Sequence, residues 1–406
     1  MLSRYDTMRT LNQMMPVMLN LVVILALLPA TGGQDMTNVI PDLNQLPAPD
    51  WVKEGTRMSY YSAAAMSPMH YGKFVPDDEG NWVDPNGNRY SWNDIYGAAG
   101  HGITQVDVLS VSPKIAAMKV TPWQYSVFNG PLIPLDSSMI VGLPAGGDWY
   151  IHPQALANLR EQHSDDLTIL RMPYTLDGVT FNAIRIQQIT DTTSYARIYD
   201  LGSGKLLASF GSAMSKDKYS TTMFTEAKLV GVRQMNLPWL GQDLPSWVQP
   251  GVTMRYDGTM TTYAIRAGYK YPVPMSLEAS INAAGKKSYT YTRTTAISPN
   301  GFPGQQSQLS QAGGIGELGG LVLPPAALAL LQPGQIIDKD GITGVTVTVK
   351  EGTHDANGRV AIQAANQGYY VEATYDMDNG AMVSYASSKS GVESKEDISL
   401  QLIQIK

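Results

Sequence analysis

The sequence predicts a mainly β protein, with α+β as the alternative, made of two tandem copies of a twisted antiparallel sheet unit, each with one short helix. Three observations lead to this prediction. A phrase near the start of the chain returns in its second half, many segments alternate apolar and polar side chains, and only two short segments rich in Ala and Leu favour a helix. Alternation with a period of two is typical of strands that bury one face.

The N-terminus has the pattern of a secretory signal. Two arginines precede the apolar run at 17–28, which is too short to cross about 30 Å of hydrocarbon as a helix. Small residues at 30–32 follow, as at a cleavage site. We therefore expect a signal peptide at 1–32, a linker at 33–50 and a mature chain that is secreted, periplasmic or at the cell surface. The alternative is a retained N-terminal membrane anchor.

The composition excludes several classes of protein. The chain has no cysteine, which excludes disulfides, thiolate metal sites and cysteine nucleophiles. The net charge is −6, without the clustered cations that nucleic-acid binding needs. After the signal no run approaches the length of an apolar membrane helix, so we expect no transmembrane span once the signal is cleaved. A chain of 406 residues suffices for two domains.

Four short phrases occur twice, in the same order, at offsets of 196, 172, 176 and about 171 residues. Four ordered echoes indicate duplication of one unit. We predict repeat unit 1 at 51–235, a linker at 236–246 and repeat unit 2 at 247–406. The phrases begin at Trp51 and Trp247 (Trp-Val-x-x-Gly-x-x-Met-x-Tyr), at Pro153 and Pro325, at Tyr199 and Tyr375, and at Ala227 and Ile398.

The larger first offset means that unit 1 carries an insertion, which we place at 71–94. The repeated tryptophans, Trp51 and Trp247, are expected to be core residues at the entrance to the first strand of each unit. A buried Trp contributes on the order of 3 kcal/mol through its apolar area.

The individual elements follow from local patterns. "GITQVDVLSV" and "VTFNAIRIQQI" in unit 1, and "ITGVTVTVKE" and "RVAIQAA" in unit 2, alternate as strands do. "YDLGSG" and "YDMDNG" place Asp and Gly where a tight turn between two strands needs them. One helix is expected in each unit, at 153–162 and at 325–332, since Pro is favourable in the first turn and Ala and Leu follow.

No catalytic pattern is present, and we expect a protein that is not an enzyme and needs no cofactor. A Gly-x-Ser-x-Gly elbow and a His-Glu-x-x-His motif are both missing. Gly314-x-Gly316-x-x-Gly319 matches a dinucleotide-binding pattern, but that pattern requires a preceding strand and a following helix. Here a Gln/Ser-rich loop is expected before it and "LVLPP" follows, so we interpret the motif as a flexible loop.

The insertion gathers the most specialised side chains. Acidic oxygens among Gly and Asn are typical of calcium loops, although the spacing of Gly87 departs from the calcium-loop pattern. Aromatic rings nearby are candidates for a platform under a sugar ring or an apolar ligand. The alternative is a solvated β-hairpin with a Pro-Asn-Gly turn. The candidate metal ligands are Asp77, Asp78, Glu79 and Asp84, and the candidate ligand-binding residues are Trp82, Tyr90 and Trp92.

A second candidate metal site precedes the insertion. Met66, Met69 and His70 form a thioether–thioether–imidazole run, and such soft ligands suit Cu(I). The alternative is that these methionines fill gaps in the core, as Met commonly does.

The rhythm of strands with one short helix in each unit resembles that of periplasmic lipoprotein carriers, whose curved sheet surrounds acyl chains. This resemblance implies an apolar concavity as the ligand site. We expect a non-catalytic binding module or carrier for an apolar ligand or an envelope component. The alternative is a structural or interaction protein of the cell surface.

Overall fold

The fold was analysed in a computed structural model of the chain. The described residues are 39–67, 75–77, 82–83, 87–90, 100–125, 130–214, 222–264, 269–298, 304–352, 358–390 and 394–406. Within them the protein is mainly β, as the sequence predicts, with two large antiparallel sheets and few short helices. No helix in these ranges is both long and apolar enough to cross a bilayer.

The first sheet and a small accessory sheet come from the first half of the chain, after a 3-10 turn at Pro41–Asn44. Their elements are β1 Thr56–Ser67, β2 Val75–Pro76, β3 Trp82–Val83, β4 Arg89–Tyr90, β5 Gly100–Val111, β6 Ala116–Tyr125, β7 Leu132–Pro134, β8 Ser138–Gly142, α1 Pro153–Asn158, β9 Gln162–His163, β10 Leu167–Leu176, β11 Val179–Ile189, β12 Thr193–Asp200, β13 Leu206–Met214 and β14 Thr222–Gln234.

The second sheet comes from the second half. Its elements are β15 Thr253–Ala264, β16 Tyr269–Ala284, β17 Ser288–Ile297, β18 Gln305–Gly314, α2 Pro325–Leu328, β19 Ile336–Lys339, β20 Thr346–Val349, β21 Arg359–Ala365, β22 Tyr369–Asp376, β23 Met382–Ser390 and β24 Ser394–Ile405.

The two sheets have the same topology. The first has the order β7-β6-β5-β1-β14-β13-β12-β11-β10-β9, with β8 also paired to β6. The second has the order β18-β17-β16-β15-β24-β23-β22-β21-β20-β19. Each sheet therefore places its first and last long strands side by side at the centre, and each has its helix before the strand that forms one edge. This correspondence confirms the predicted duplication of one sheet topology.

Equivalent hydrogen bonds relate the two copies residue by residue. The N–H of Gly55 donates to Val108 O at 2.9 Å, and that of Gly251 donates to Ile281 O at 2.9 Å. Both glycines have a positive φ, which a tight turn before the first strand of each sheet requires.

The turns predicted from the two Tyr-Asp phrases also match. Gly204 O accepts from Ile151 N and Gly380 O accepts from Leu323 N, both at 2.9 Å. Both hairpins, β12–β13 and β22–β23, are confirmed by their antiparallel registers.

Three predictions need correction. The run "ITGVTVTVKE" forms a strand only over β20, Thr346–Val349, because a turn at 341–343 precedes it. The helices are shorter than expected, because the residue after α1, Leu159, is already extended and α2 ends at Leu328. The repeated tryptophans are only half-buried. The fully buried members of the repeated phrase are its Met and Tyr, which are Met58, Tyr60, Met254 and Tyr256.

The Gln/Ser-rich segment before the glycine motif is strand β18 and not the predicted loop. The glycine run that ends this strand is a turn, as expected of a loop, but it is buried rather than freely exposed. Ile315 and Glu317 are 1% and 2% exposed. A Cβ on Gly316 would collide with the carbonyl oxygen of Val108, so glycine is required by the close approach of two backbones. The motif thus has a packing role in this fold.

The predicted insertion lies between β1 and β5, where residues 68–99 connect two strands that residues 265–268 connect in the second copy. Its strands β2, β3 and β4 form a separate antiparallel sheet. Trp82 lies opposite Tyr90 in the β3–β4 register.

The chain divides into two compact units. The first compact unit comprises 1–49, 60–104 and 143–231, and the second comprises 50–59, 105–142 and 232–406. These ranges follow spatial proximity and not the sequence repeat, so the boundaries of repeat units 1 and 2 stay a prediction.

Candidate functional site

Most of the candidate site residues predicted in and near the insertion lie outside the part of the chain that the structure describes. Asp78, Glu79, Asp84, Trp92, Met69 and His70 lie outside the described residues. Met66, Trp82 and Tyr90 lie in strands β1, β3 and β4.

The side chain of Asp77 is described, and its Oδ2 lies 3.2 Å from Arg89 Nε. Within the described part of the chain, no three His, Asp or Glu side chains are grouped as metal ligands. The calcium, copper and aromatic-platform sites stay predictions.

The structure instead contains a cavity of about 270 Å³ whose lining residues all belong to the second compact unit. An adjoining cavity of about 350 Å³ is lined by the same unit. We call the first the main cavity and the second the side cavity. They share the lining residues Lys119, Asp136, Tyr291, Arg293, Glu317, Gly319, Tyr385 and Lys389.

The main cavity is built from alternate residues of several strands. On β6 the lining residues are Lys119, Thr121 and Trp123, and on β17 they are Tyr291 and Arg293. Side chains two apart on a strand point to the same face, so each strand contributes a row to the wall. The period-two pattern of the sequence is what places these residues together.

One wall of the main cavity is apolar. It is formed by β20, β21 and β22 together with the ring of Trp123, which meets the ring of Tyr369 edge-on at 5.6 Å. The aliphatic lining residues of these strands are Val347, Ile362, Ala364, Val371 and Ala373.

Another part of the wall carries a buried ion pair. Lys119 Nζ lies 2.8 Å from Glu317 Oε2, and the glutamate side chain is 3% exposed. Burial alone lowers the pKa of Lys119, but the adjacent carboxylate of Glu317 raises it overall, so this lysine stays charged. Burial also raises the pKa of the nearby Tyr291 to about 12, which keeps its phenol protonated at neutral pH.

Arg57 adds a second buried ion pair to the wall. Its guanidinium binds Asp107 through two hydrogen bonds, of 2.6 Å from Nε and 2.7 Å from Nη2. Its Nη1 donates to Asp340 Oδ2 at 3.0 Å. Burial alone lowers the pKa of Arg57, and the two carboxylates raise it well above its usual range.

Asp340, which accepts a hydrogen bond from Arg57, also accepts hydrogen bonds from four other groups. Its Oδ1 accepts from the N–H groups of Ile342 and Thr343 in the turn between β19 and β20. Its Oδ2 also accepts from Arg233 Nη2 at 3.0 Å and Gln105 Nε2 at 2.8 Å. These donors leave the carboxylate fully engaged, and it acts as a structural anchor of the wall.

Two cations shared by both cavities have weaker partners. Arg293 Nη2 lies 3.6 Å from Asp136 Oδ1, beyond hydrogen-bond distance, and the side chains are 27% and 63% exposed. Its Nε is buried and has no hydrogen-bond partner among the described residues. For Lys389, no carboxylate of the described chain lies within ion-pair distance, although Glu396 is its cross-strand neighbour. These two side chains therefore hold donors that have no hydrogen-bond partner among the described residues.

Sequence reasoning missed this site. The available signal was a charged side chain on the same face as buried neighbours, such as Lys119 in "AAMKVTPW" and Arg293 in "YTYTRTTAI". A charge at such a position is costly unless it is paired or contacts a ligand.

Comparisons with known proteins add little. No family model and no curated protein matches the chain. Among solved structures, it is similar to a protein of unknown function from the DUF3598 family of Nostoc punctiforme PCC 73102, with 10% identity over 87% of this chain and 98% of that one, and a TM-score of 0.15. It is also similar to intact Ap-TbpB (N and C lobes), with 8% identity over 89% and 79%, and a TM-score of 0.12. Scores this low support no assignment of function.

Proposed function

We propose that the protein is a non-catalytic binding module or carrier for a small, largely apolar ligand, and that the ligand site is the main cavity. The observation that carries the proposal is the wall of β20, β21 and β22, which presents aliphatic side chains and the Trp123 ring to the main cavity. Pockets of a few hundred Å³ with apolar walls and a few polar groups are the usual form of small-molecule sites.

The fixed ion pairs of the wall support binding rather than chemistry. Lys119 is held by Glu317, and Arg57 is held by Asp107 and Asp340. Groups locked in this way orient a ligand without moving a proton, whereas a general acid or base needs a pKa near the working pH.

Occupation of the cavity can be tested with decanol as a neutral apolar probe. We expect isothermal titration calorimetry to show binding to the full chain. Ala364→Phe should abolish it, because residue 364 lines the cavity. Ala365→Phe is the matched control, since the next residue of β21 points to the other face and does not line it.

Equal effects of the two variants would place the probe elsewhere. No binding of decanol to the wild type would contradict the proposal and favour a structural or interaction protein of the cell surface.

We also propose that the protein is exported. The proposal rests on the apolar run and small residues before residue 33, which lie outside the described residues. N-terminal sequencing of the mature protein from the native host should begin near Gly33. Recovery of an intact N-terminus from a membrane fraction would favour a retained anchor.

A further inference from the structure

We propose that the ligand of the main cavity is an anionic amphiphile, whose carboxylate or similar oxygen-bearing group is bound by Arg293 and Lys389 while its alkyl chain lies on the apolar wall. This inference rests on the proposed function and specifies the chemistry of the same site.

The charged residues that line the main cavity are not all held in short ion pairs. The main cavity is lined by the cations Arg57, Lys119, Arg293 and Lys389 and by the carboxylates Asp107, Asp136 and Glu317. The first two cations are neutralised by short ion pairs with Asp107 and Glu317. Of the other two, Arg293 has only the long contact with Asp136, whose side chain is mostly exposed to solvent, and Lys389 has Glu396 as its cross-strand neighbour. Arg293 and Lys389 are therefore the lining cations that have no short ion pair among the described residues.

Some hydrogen-bond donors that line the main cavity have no acceptor among the described residues. An arginine has five N–H donors in a planar fork that matches a carboxylate. Arg293 is about three-quarters buried, and no hydrogen bond from it is found among the described residues. The indole N–H of Trp123, a residue 7% exposed, also has no partner there. Buried donors left unpaired cost free energy, and an acceptor ligand would relieve that cost.

The positions of these groups indicate where each end of a ligand would lie. Arg293 and Lys389 line both cavities, whereas Val347, Ala364 and Val371 line only the main one. The polar end of a ligand therefore belongs at the junction of the two cavities, and its chain extends over β20–β22.

The side cavity adds one opposing charge, Glu396, beside Lys389. Its acidic lining groups then equal its basic ones in number. An anionic group is therefore best placed at the junction, where Arg293 and Lys389 are shared by the two cavities, and not deeper in the side cavity near Glu396.

The test compares three ten-carbon probes of equal chain length, decanoate, decanol and decylamine, by isothermal titration calorimetry at neutral pH. The full chain is compared with the double variant Arg293→Gln, Lys389→Gln. The control double variant is Lys270→Gln, Lys286→Gln, which removes two exposed cations that line neither cavity.

We expect the wild type to bind decanoate about tenfold or more tightly than decanol, since hydrogen bonds to charged groups are each worth about a factor of ten or more. The Arg293/Lys389 variant should lose this preference and still bind decanol, and the control should behave as the wild type. Retention of decanol binding also shows that the variant is folded.

Equal affinity of the wild type for decanoate and decanol would overturn the anionic assignment and leave the proposed apolar site standing. Tighter binding of decylamine would assign the polar end to Glu317 and Asp136 and also overturn it. If none of the three probes binds, the proposed function itself fails.

Discussion

The first strand pair of each repeat holds different side chains at the same positions. Arg57 and Asp107 on β1 and β5 correspond to Thr253 and Ser280 on β15 and β16, as the matching glycine hydrogen bonds before each pair show. The first pair is a buried ion pair with two short hydrogen bonds. The second is a pair of hydroxyls, with 3.2 Å between Thr253 Oγ1 and Ser280 Oγ.

This difference shows that the fold itself does not need a charge at this position. A neutral pair fills it in the second copy, and buried ion pairs are often no more stabilising than well-packed neutral groups. The charges of Arg57 and Asp107 are explained by their neighbours, because Arg57 also holds Asp340 and both residues line the main cavity. Comparison of the two copies thus shows that the sheet accepts a pair of polar side chains without charge at these positions, and that the charges are an addition of the first copy.

The largest expected effect on stability comes from removing the charge of Arg57 while Asp107 keeps its own. Arg57→Met should lower the free energy of unfolding by about 3–5 kcal/mol, because it leaves Asp107 buried without its partner and removes one donor from Asp340. Urea denaturation of the full chain measures this loss.

The second copy supplies the matched rescue. Arg57→Thr combined with Asp107→Ser reproduces the hydroxyl pair, and we expect it to be more stable than Arg57→Met. If the double variant is as unstable as the single one, the two positions are not interchangeable and the comparison between the copies fails.

The two turn glycines should respond alike. Gly204 and Gly380 have φ values of 74° and 78°, and a Cβ on either would collide with a carbonyl oxygen, of Ile151 and of Leu323 respectively. Gly204→Ala and Gly380→Ala should each cost at least about 2 kcal/mol in urea denaturation.

Gly178 is the matched control, since its φ is 79° but nothing lies within 4 Å of an added Cβ. Gly178→Ala should cost only the backbone strain, about 1 kcal/mol. Unequal effects at Gly204 and Gly380 would mean that the two turns are not equivalent.

The sequence predicted the parts of this fold that depend on local pattern. The run "VTFNAIRIQQI" coincides with β11, and the two Tyr-Asp phrases end their strands at Asp200 and Asp376. The half-buried Trp51 and Trp247 were not predictable in this way, because burial depends on what packs over a residue.

The candidate cavity is the clearest example of this limit. Alternation places Tyr291 and Arg293 on one face of β17. It does not indicate that Lys119 and Lys389, far away in the sequence, line the same space. Which faces meet is decided by tertiary packing, and a single sequence carries no record of it.

Acid should weaken the ion-pair network of Arg57 by protonating Asp340, which the second copy contributes. Burial alone raises the pKa of this carboxyl, but the N–H of Thr343, with Arg57 and Arg233, lowers it overall to well below its usual range. A carboxyl with a depressed pKa stabilises the fold above its unfolded pKa of about 3.9, and this contribution is lost as the pH falls through the folded pKa. We expect the stability of the wild type to fall below about pH 4 more steeply than that of Asp340→Asn. Parallel profiles from urea denaturation would contradict this role of Asp340.

The repeated tyrosines should show a smaller effect. Tyr375 OH donates to Gly320 O at 2.8 Å, and Tyr199 OH is 3.1 Å from Asp148 O and 3.3 Å from Gly147 O. Tyr→Phe at either position should cost about 1 kcal/mol in chemical denaturation, with the larger loss at Tyr375, where the bond is shorter. A larger loss at Tyr199 would indicate that its two long contacts act together.

The smallest expected effect is that of deleting the insertion. Strands β2–β4 pair only with one another among the described residues, and the second copy joins the equivalent strands through 265–268 alone. Replacing residues 74–94 with a short Gly-Ser closure should therefore lower the melting temperature only slightly, through the contacts of β2 with β12 and β13. Decanol binding should survive, because the main cavity is lined entirely by the second compact unit and the insertion belongs to the first. A large loss of melting temperature would show that the insertion is part of the scaffold. If the deletion instead abolished decanol binding in a folded protein, the ligand site would lie in the insertion, with its aromatic and acidic side chains, and not in the cavity.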